Sequence, residues 1–487
     1  MSEEPQEGKT EAELIKARRA KLDALRASGR DPFAVTKFDR THTIEAARGA
    51  QGTVRVAGRL GSVRRQGKKV AFVHLDDESG SIQLYLRADD LGPDFLVDEI
   101  DRGDVVGVSG EVFTTQKGEL SVHARSLIVL SKALRPLPDK WHGLVDPETR
   151  YRRRYVDMIV NRPVRETMLA RSRILSAARR FLDERGYHEV ETPTLLTIAG
   201  GANARPFLTR SNALDIPLKL RIATELNLKR CIVGGIEKVY ELGRTFRNEG
   251  IDRTHNPEFT MLELYEAYTD VEGMMRLTED LIAHLAEVAG VRGMLEWNGE
   301  TISFQRPFRK IAYLDALSQW GSLSREEVLD EARARAAAAR LGVKTPAGSS
   351  HGHVIDKIFE HVVEPHLVDP TFVTDMPVVL SPLAKRNPRD PALVERFELF
   401  IAHMETANAF SELNDPDDQR ERFAAQARER AQGDEEAPEP DWDYVQALEY
   451  GMPPTGGIGY GIDRIIMLLT GETSIRDVLL FPLQKPE

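Results

Sequence analysis

Between residues 53 and 131 the chain breaks into five short runs of β character: "TVRVAGRL", "VAFVHLDD", "SIQLYLR", "DVVGVSGEVF" and "ELSVHARSLIVL". Turn signals such as "DESG" and "QKGE" separate them. Five strands in about eighty residues predict a small barrel, an OB-fold in particular. Ahead of it, "EAELIKARRAKLDALRASG" (11–29) reads as a helix with Leu14, Leu22 and Leu25 near one face and a glycine stop. Behind it, the Pro-rich polar stretch 135–148 reads as a linker. After about residue 155 helices and strands mix, in an order that suits an antiparallel sheet with helices on it, an α+β domain. The expected organisation is a tail and amphipathic helix (1–52), the barrel (53–131), a linker (132–160) and an α+β domain (161–487). Helical or loop insertions are expected around 324–355 and 415–442. A length of 487 residues suits about three domains.

The second domain carries charge where a core is expected. Side chains alternate faces along a strand, and in "KVYELGRTFRNEG" Tyr240, Leu242 and Phe246 share one parity while Glu241, Arg247 and Glu249 share the other. In "EFTMLELYEA", Phe259, Glu263 and Tyr265 oppose Leu262 and Leu264; in "TANAFSELN", Asn408, Phe410 and Glu412 fall on one face. A solvent-facing sheet side explains one such strand. Three strands mixing carboxylates with aromatics suit a ligand cleft better. Glu263, Glu412 and Glu225 would repel one another unless a cation intervened, and Arg247 offers a fork for a carboxylate or phosphate. That combination describes an amino acid with a basic side chain.

Two features point to a nucleotide. "PTGGIGYGIDRIIMLLT" (454–470) is a glycine-rich strand running into a helix, with Arg464 at its start; the glycines permit close backbone approach and the helix start favours anions. Tight strand–helix packing is the competing explanation, and the stretch is neither a P-loop nor part of a Rossmann unit. Glu398 and Glu405 flank a strand end and suit Mg²⁺ shared with phosphates, against the alternative of two surface glutamates.

Composition narrows the setting. The net charge of −11 argues against non-specific nucleic-acid binding, yet basic clusters at 11–30, 63–69 and 150–154 offer either a docking surface for a polyanion or plain solvated faces. The single cysteine, Cys231, excludes an internal disulfide or a multi-thiolate metal site. No apolar run approaches the ~20 residues of a membrane span, and the acidic N-terminus lacks a signal-like segment. A cytoplasmic enzyme is expected.

These residues resemble the class II aminoacyl-tRNA synthetases, and among them the subclass b lysyl-tRNA synthetases of bacterial type. "RRFLDERGYHEVETPTL" is similar to class motif 1, "GRTFRNEGIDRTHNPEFTMLELYEAY" to motif 2 and "GIGYGIDRIIMLL" to motif 3. "GGANARPF", "FRNEG…HNPEFTMLELY" and "NAFSELNDP" are more specific and favour lysine over aspartate or asparagine.

The resemblance implies an ATP-dependent ligase that charges tRNA(Lys) with L-lysine. It implies Arg247 at the lysine carboxylate and α-phosphate, and Glu249, His255 and Phe259 at ATP with Phe259 on the adenine. Arg464 is implied at the γ-phosphate, with Glu398 and Glu405 carrying Mg²⁺, Glu405 also bordering ATP. For lysine it implies Glu225 and Gly201 at the α-amino group, Asn408 at the carboxylate, and Glu412 and Tyr265 at the ε-ammonium with Glu263 nearby and Phe410 along the stem. In the barrel, Arg64, Phe72, Gln83 and Glu119 match positions that read a uridine-rich anticodon. Motif 1 implies a homodimer. Tyr460, Ala407, Ala409 and Asn227 depart from the family pattern and leave pocket shape open. A relative that attaches lysine to a protein, or a non-catalytic RNA-binding descendant, are the competing readings. The barrel argues against the first, and the set Arg247, Arg464, Glu398 and Glu405 against the second.

Overall fold

The five runs between 53 and 131 close into a barrel because each alternates apolar and polar residues, so one face of every strand can turn inward. In the computed structural model they are β1 (Thr53–Gln66), β2 (Val70–Asp76), β3 (Ser81–Arg87), β4 (Val105–Thr114) and β5 (Leu120–Ser131). They pair in the order β1-β2-β3-β5-β4, with β1 closing on β4 and only β3–β5 parallel. Val73, Leu75, Leu84 and Val122 fill the interior. The structure describes residues 10–66, 69–91, 99–138, 144–346, 348–431 and 439–486. The expectations for the extreme N-terminus, for part of the linker and for 432–438 of the acidic insertion lie outside the described residues.

The chain divides into two units, Met1–Val145 and Asp146–Glu487. In the first, helix α1 (Glu11–Ala27) starts at a capping box between Thr10 and Glu13, and buries Leu22 and Leu25. Its basic cluster is partly internal. Arg18 is buried and donates to the carbonyls of Ala133 and Arg135 at 2.7 and 3.0 Å, while Lys21 pairs with Asp101 at 2.7 Å. These cations are spent on folding rather than offered to a polyanion.

The second unit is built on a nine-stranded sheet. Helix α2 (Arg162–Asp183) packs beside it and α3 (Glu225–Val233) follows a small three-stranded sheet. The main sheet takes β6 (Lys238–Phe246) and β7 (Glu258–Ala267). After helix α4 (Val271–Val288) and helix α5 (His351–Val362) come β8 (Thr371–Pro377), β9 (Asp390–Ile401) and β10 (Met404–Ser411). Helices α6 (Pro416–Ala431) and α7 (Trp442–Glu449) precede β11 (Thr455–Gly461) and helix α8 (Ile462–Thr470). The order is β8-β9-β10-β11-β7-β6, antiparallel throughout, with Arg309–Ala312 and His188–Glu189 added in parallel at the two edges and the short strand Arg386–Asn387 paired off this path against β9. Leu262, Leu264, Ala407, Ala409, Ile458 and Tyr460 form its packed face against α2, α4 and α8.

Residues 147–160, read from sequence as linker, form two helices, Pro147–Arg152 and Arg154–Val160. The reason is a buried cation. Arg154 is fully enclosed, donating to Asp157 at 3.0 Å and to the carbonyl of Arg476 at 2.6 Å. The basic stretch "RYRRR" thus also spends charge internally. The region expected to hold insertions contains helices Arg325–Leu329 and Glu331–Arg340 and, later, α6.

Candidate active site

Register makes the site. Across the sheet, Glu398, Asn408, Gly459 and Glu263 stand directly opposite one another on β9, β10, β11 and β7. Two residues along, Arg396, Phe410, Gly457 and Tyr265 form a second row. The central strand contributes glycine to both rows, so the flanking side chains surround open space rather than a ridge. That space belongs to a cavity of about 880 Å³, a size suited to small-molecule ligands. Gly201, Glu225, Arg247, Glu249, His255, Phe259, Glu263, Tyr265, Glu398, Glu405, Asn408, Phe410 and Arg464 all line it. Glu412 does not; it is fully buried in the wall just behind Gly457.

One end of the cavity is acidic. Gly201 has φ +89° and lies so near Glu225 that a Cβ would stand 3.1 Å from the Glu225 Cβ, which explains why glycine is needed. Glu263 accepts from the Thr224 N–H at 3.1 Å, and burial pushes its carboxyl up to about 7. Glu412 is pushed well above the usual carboxylate range, first by burial and then by Glu225 and Glu263, while Lys229 pulls the other way. Lys229 was missed by the sequence reading. It donates to Glu225 Oε1 at 2.6 Å and ion-pairs with Glu412 Oε2. The carboxylates expected to repel one another until a cation arrives already have one, because the chain supplies Lys229. The signal was available in "ELNLK": a lysine one helical turn after Glu225 sits over the same face.

The other end is basic. The Arg247 guanidinium lies 5.2 Å from the Phe259 ring centroid and its Nε donates to the Ile222 carbonyl at 3.4 Å. Burial lowers its pKa from the usual value while Glu249, Glu405 and Glu263 oppose that shift. Arg464 donates to the Glu405 carbonyl at 2.6 Å and to His255 Nε2 at 2.9 Å. His255 Nδ1 faces Asp252 at 2.8 Å, so the ring carries its proton on Nδ1. A buried network holds this end in place. Arg171 of α2 bonds Asp463 at 2.5 Å and Thr260 at 2.8 Å, and the Thr260 N–H donates to Asp463 at 2.7 Å, fixing the first turn of α8 against β7. Between the two ends, Arg396 donates to Asn408 Oδ1 at 3.0 Å and to Glu398 at 2.5 Å, which turns the Asn408 amide N–H groups away from Arg396. Burial raises the Glu398 carboxyl to about 8, with Glu405, Asp356 and Glu364 adding to it against Arg396.

Comparison with known proteins settles the family. A model of class II tRNA synthetases (D, K and N) matches residues 146–485, and one of the OB-fold nucleic acid binding domain matches 54–130. A lysine–tRNA ligase of Carboxydothermus hydrogenoformans is 54% identical, the match covering 97% of this chain and 98% of that protein. Those of Moorella thermoacetica and Bacillus subtilis are 51% and 50% identical, with 98–99% of this chain and 99% of theirs covered. The chain belongs to the class II lysyl-tRNA synthetases.

Its departures from the lysyl-tRNA synthetase pattern fall mostly off the cavity. Tyr460 and Ala409 lie on the packed face, where the Tyr460 hydroxyl meets Thr278 Oγ1 at 3.0 Å. Ala407 shares that packed face and borders the cavity, and Asn227 is half-buried on α3. The synthetase's barrel carries the other predicted set on its outer face. Arg64 stands opposite Phe72, its guanidinium 5.3 Å from the ring centroid. Gln83 is buried and accepts from Ser121 at 3.0 Å; Glu119 meets His74 at 3.3 Å. The sequence reading missed the extension of this aromatic surface: Tyr85 lies 5.1 Å from Phe72, and His123 5.1 Å from Tyr85.

Proposed function

We propose that this chain is a lysine–tRNA ligase whose cavity binds ATP and L-lysine side by side and whose barrel binds the anticodon of tRNA(Lys). The observation that carries it is the polarity of one continuous cavity, with carboxylates at one end and Arg247 and Arg464 at the other. Lysine fits this with its ammonium groups toward Glu225 and, through Tyr265 and Glu263, Glu412. Phe410 packs on its stem, and its carboxylate lies toward Asn408 and Arg247. ATP fits with adenine on Phe259, its phosphates between Arg247, His255, Glu249 and Arg464, and Glu405 at the edge.

In the first step a lysine carboxylate oxygen attacks the α-phosphorus; the bond to the β-phosphate oxygen breaks and pyrophosphate leaves, forming lysyl-adenylate. In the second, a hydroxyl of the terminal tRNA adenosine attacks the activated carbonyl and AMP leaves. No residue needs to become covalently attached. Arg247 and Arg464 act by positioning and by neutralising charge that develops on phosphate, preorganised donors that cost no rearrangement during the reaction.

Glu398 and Glu405 fit a role as Mg²⁺ ligands. Burial and the neighbouring Glu405, Asp356 and Glu364 raise the Glu398 carboxyl against the pull of Arg396, a crowding of carboxylates that a divalent cation would relieve. Among the described residues no group of three or more His, Cys, Asp or Glu side chains is placed to hold a metal ion, so the proposed ligands are these two glutamates with the nucleotide's phosphates. Bound there, Mg²⁺ supplies charge neutralisation at the triphosphate.

The chain is further proposed to act in the cytoplasm as a homodimer. The homodimer follows from the motif 1 resemblance; Leu208, in a strand of the small three-stranded sheet, and Leu214, in the turn after that strand, are 77% and 71% exposed and are the apolar residues this proposal places against the second copy. No helix among the described residues is long and apolar enough to cross a membrane.

ATP–pyrophosphate exchange across the twenty amino acids tests the reading. Exchange is expected with lysine alone, followed by charging of tRNA(Lys); Phe72→Ala is expected to impair charging while leaving exchange intact. Exchange driven by another amino acid, or none, overturns the assignment.

A further inference from the structure

Lys229 touches both of the carboxylates proposed for the two ends of the substrate without facing the cavity itself. It is fully buried on α3, donating to Glu225 Oε1 at 2.6 Å and ion-paired with Glu412 Oε2. The rings of Phe410, Tyr265 and Tyr444 surround its ammonium, with centroids at 5.3, 5.9 and 5.9 Å. Beyond that ion pair, neither Glu412 oxygen has a hydrogen-bond partner among the described residues. Its Oε1 instead borders Gly457, where a Cβ would overlap it.

We propose that Lys229 is a positioning and specificity-determining residue: an internal ammonium that clamps Glu225 and Glu412 at a set separation and so measures the length of the substrate's side chain. The inference rests on the lysine-ligase reading and deepens it. Glu225 and Glu412 share the Lys229 ammonium, and Glu263, the third buried carboxyl of this end, accepts from the Thr224 N–H. Lysine brings an ammonium group to each end of this carboxylate cluster, whereas an amino acid with an uncharged side chain brings one to a single end.

Clamping also sets what happens to a shorter amine. A free Glu412 carboxylate would follow ornithine inward, and discrimination would fall to that of one missing methylene, about 10- to 200-fold. Held back by Lys229, Glu412 cannot follow, and a buried acceptor is left unpaired. Such a site rejects the shorter analogue far more strongly.

The test compares lysine with ornithine in ATP–pyrophosphate exchange for the full-length wild type, Lys229→Met and Lys229→Arg. Methionine keeps the unbranched stem without charge; arginine keeps the charge but moves it. Both are expected to raise KM for lysine about tenfold or more while leaving KM for ATP within about twofold, and to reduce the lysine-to-ornithine ratio of kcat/KM by about tenfold or more. If Lys229→Met does not fold, Lys229→Arg decides alone. An unchanged ratio in a folded variant, with all parameters falling together, assigns Lys229 to packing and overturns the proposal. Absence of lysine-dependent exchange in the wild type sinks the ligase reading instead, so the two failures are distinguishable.

Discussion

Glu263 stands opposite Gly459 on the floor of the cavity, and its ionisation is tied to what the cavity holds. Burial is the largest influence, pushing its carboxyl up to about 7; hydrogen bonding from Thr224 opposes this and Glu225 adds to it. Because the folded value lies above the usual one near 4.5, the folded state holds the proton more tightly than the unfolded chain does. The contribution to stability is complete below about pH 4.5 and is lost as pH rises through about 7. Glu398 acts in the same sense up to about 8. The ligand-free protein is therefore expected to melt at progressively lower temperature from pH 5 to 8. Saturating L-lysine should flatten the decline, since an ammonium beside Glu263 favours its ionised form. Differential scanning fluorimetry of the wild type and Glu263→Gln checks this: equal slopes in both, with and without lysine, would remove Glu263 from the account. The charge on this residue was legible from strand parity alone. Its perturbed ionisation was not, because that depends on Thr224 and Glu225 arriving from a different segment.

At the scale of elements, β11 decides whether the floor is a cleft or a wall. Gly457 lies between Phe410 and Tyr265, and a Cβ there would overlap the Tyr265 ring and Glu412 Oε1. Gly459 is more forgiving, its Cβ meeting the flexible end of Met261 at 3.1 Å and Glu263 Cγ at an ordinary 3.6 Å. Gly457→Ala is expected to lower kcat/KM for lysine in exchange by about 10² or more, on the scale of losing a preorganised contact. Gly459→Ala should keep a melting temperature near that of the wild type. A lysine KM for Gly457→Ala close to the wild-type value would show that the missing side chain is not what shapes the amino-acid end. The glycine-rich strand running into a helix was readable as a place of close approach. Which side chains the glycines make room for was not, since cross-strand partners are set by pairing between segments some fifty to two hundred residues apart.

For the whole molecule, the two units correspond to two kinds of chemistry, base recognition on a barrel and adenylate formation on an antiparallel sheet. The barrel's outer aromatics and the cavity's charges lie on separate units, Met1–Val145 and Asp146–Glu487. The proposed homodimer is a prediction at this scale. Sedimentation velocity should find about twice the chain mass of 54.6 kDa, and Leu208→Glu should shift the population toward monomer by placing a charge in the buried interface. A wild-type chain that sediments as a monomer at micromolar concentration refutes it.

The sequence alone determined the five-stranded barrel, the α+β catalytic unit, the shared face of Glu263 with Tyr265 and of Asn408 with Phe410, and, through its motif resemblance, the family; it did not place Glu412 off the cavity or Arg247 and Glu249 beyond the end of β6. The properties it determined are local or near-local: strand alternation, turn residues and glycine runs act within a few positions of one another. Tertiary structure alone decided where the charges end. It sent Arg18 and Arg154 into the interior to satisfy backbone carbonyls and tied Asp463 to Arg171. It also set Lys229 between Glu225 and Glu412. A buried ion must be paired by whatever the fold brings within a few ångströms, and no period in the sequence records that distance.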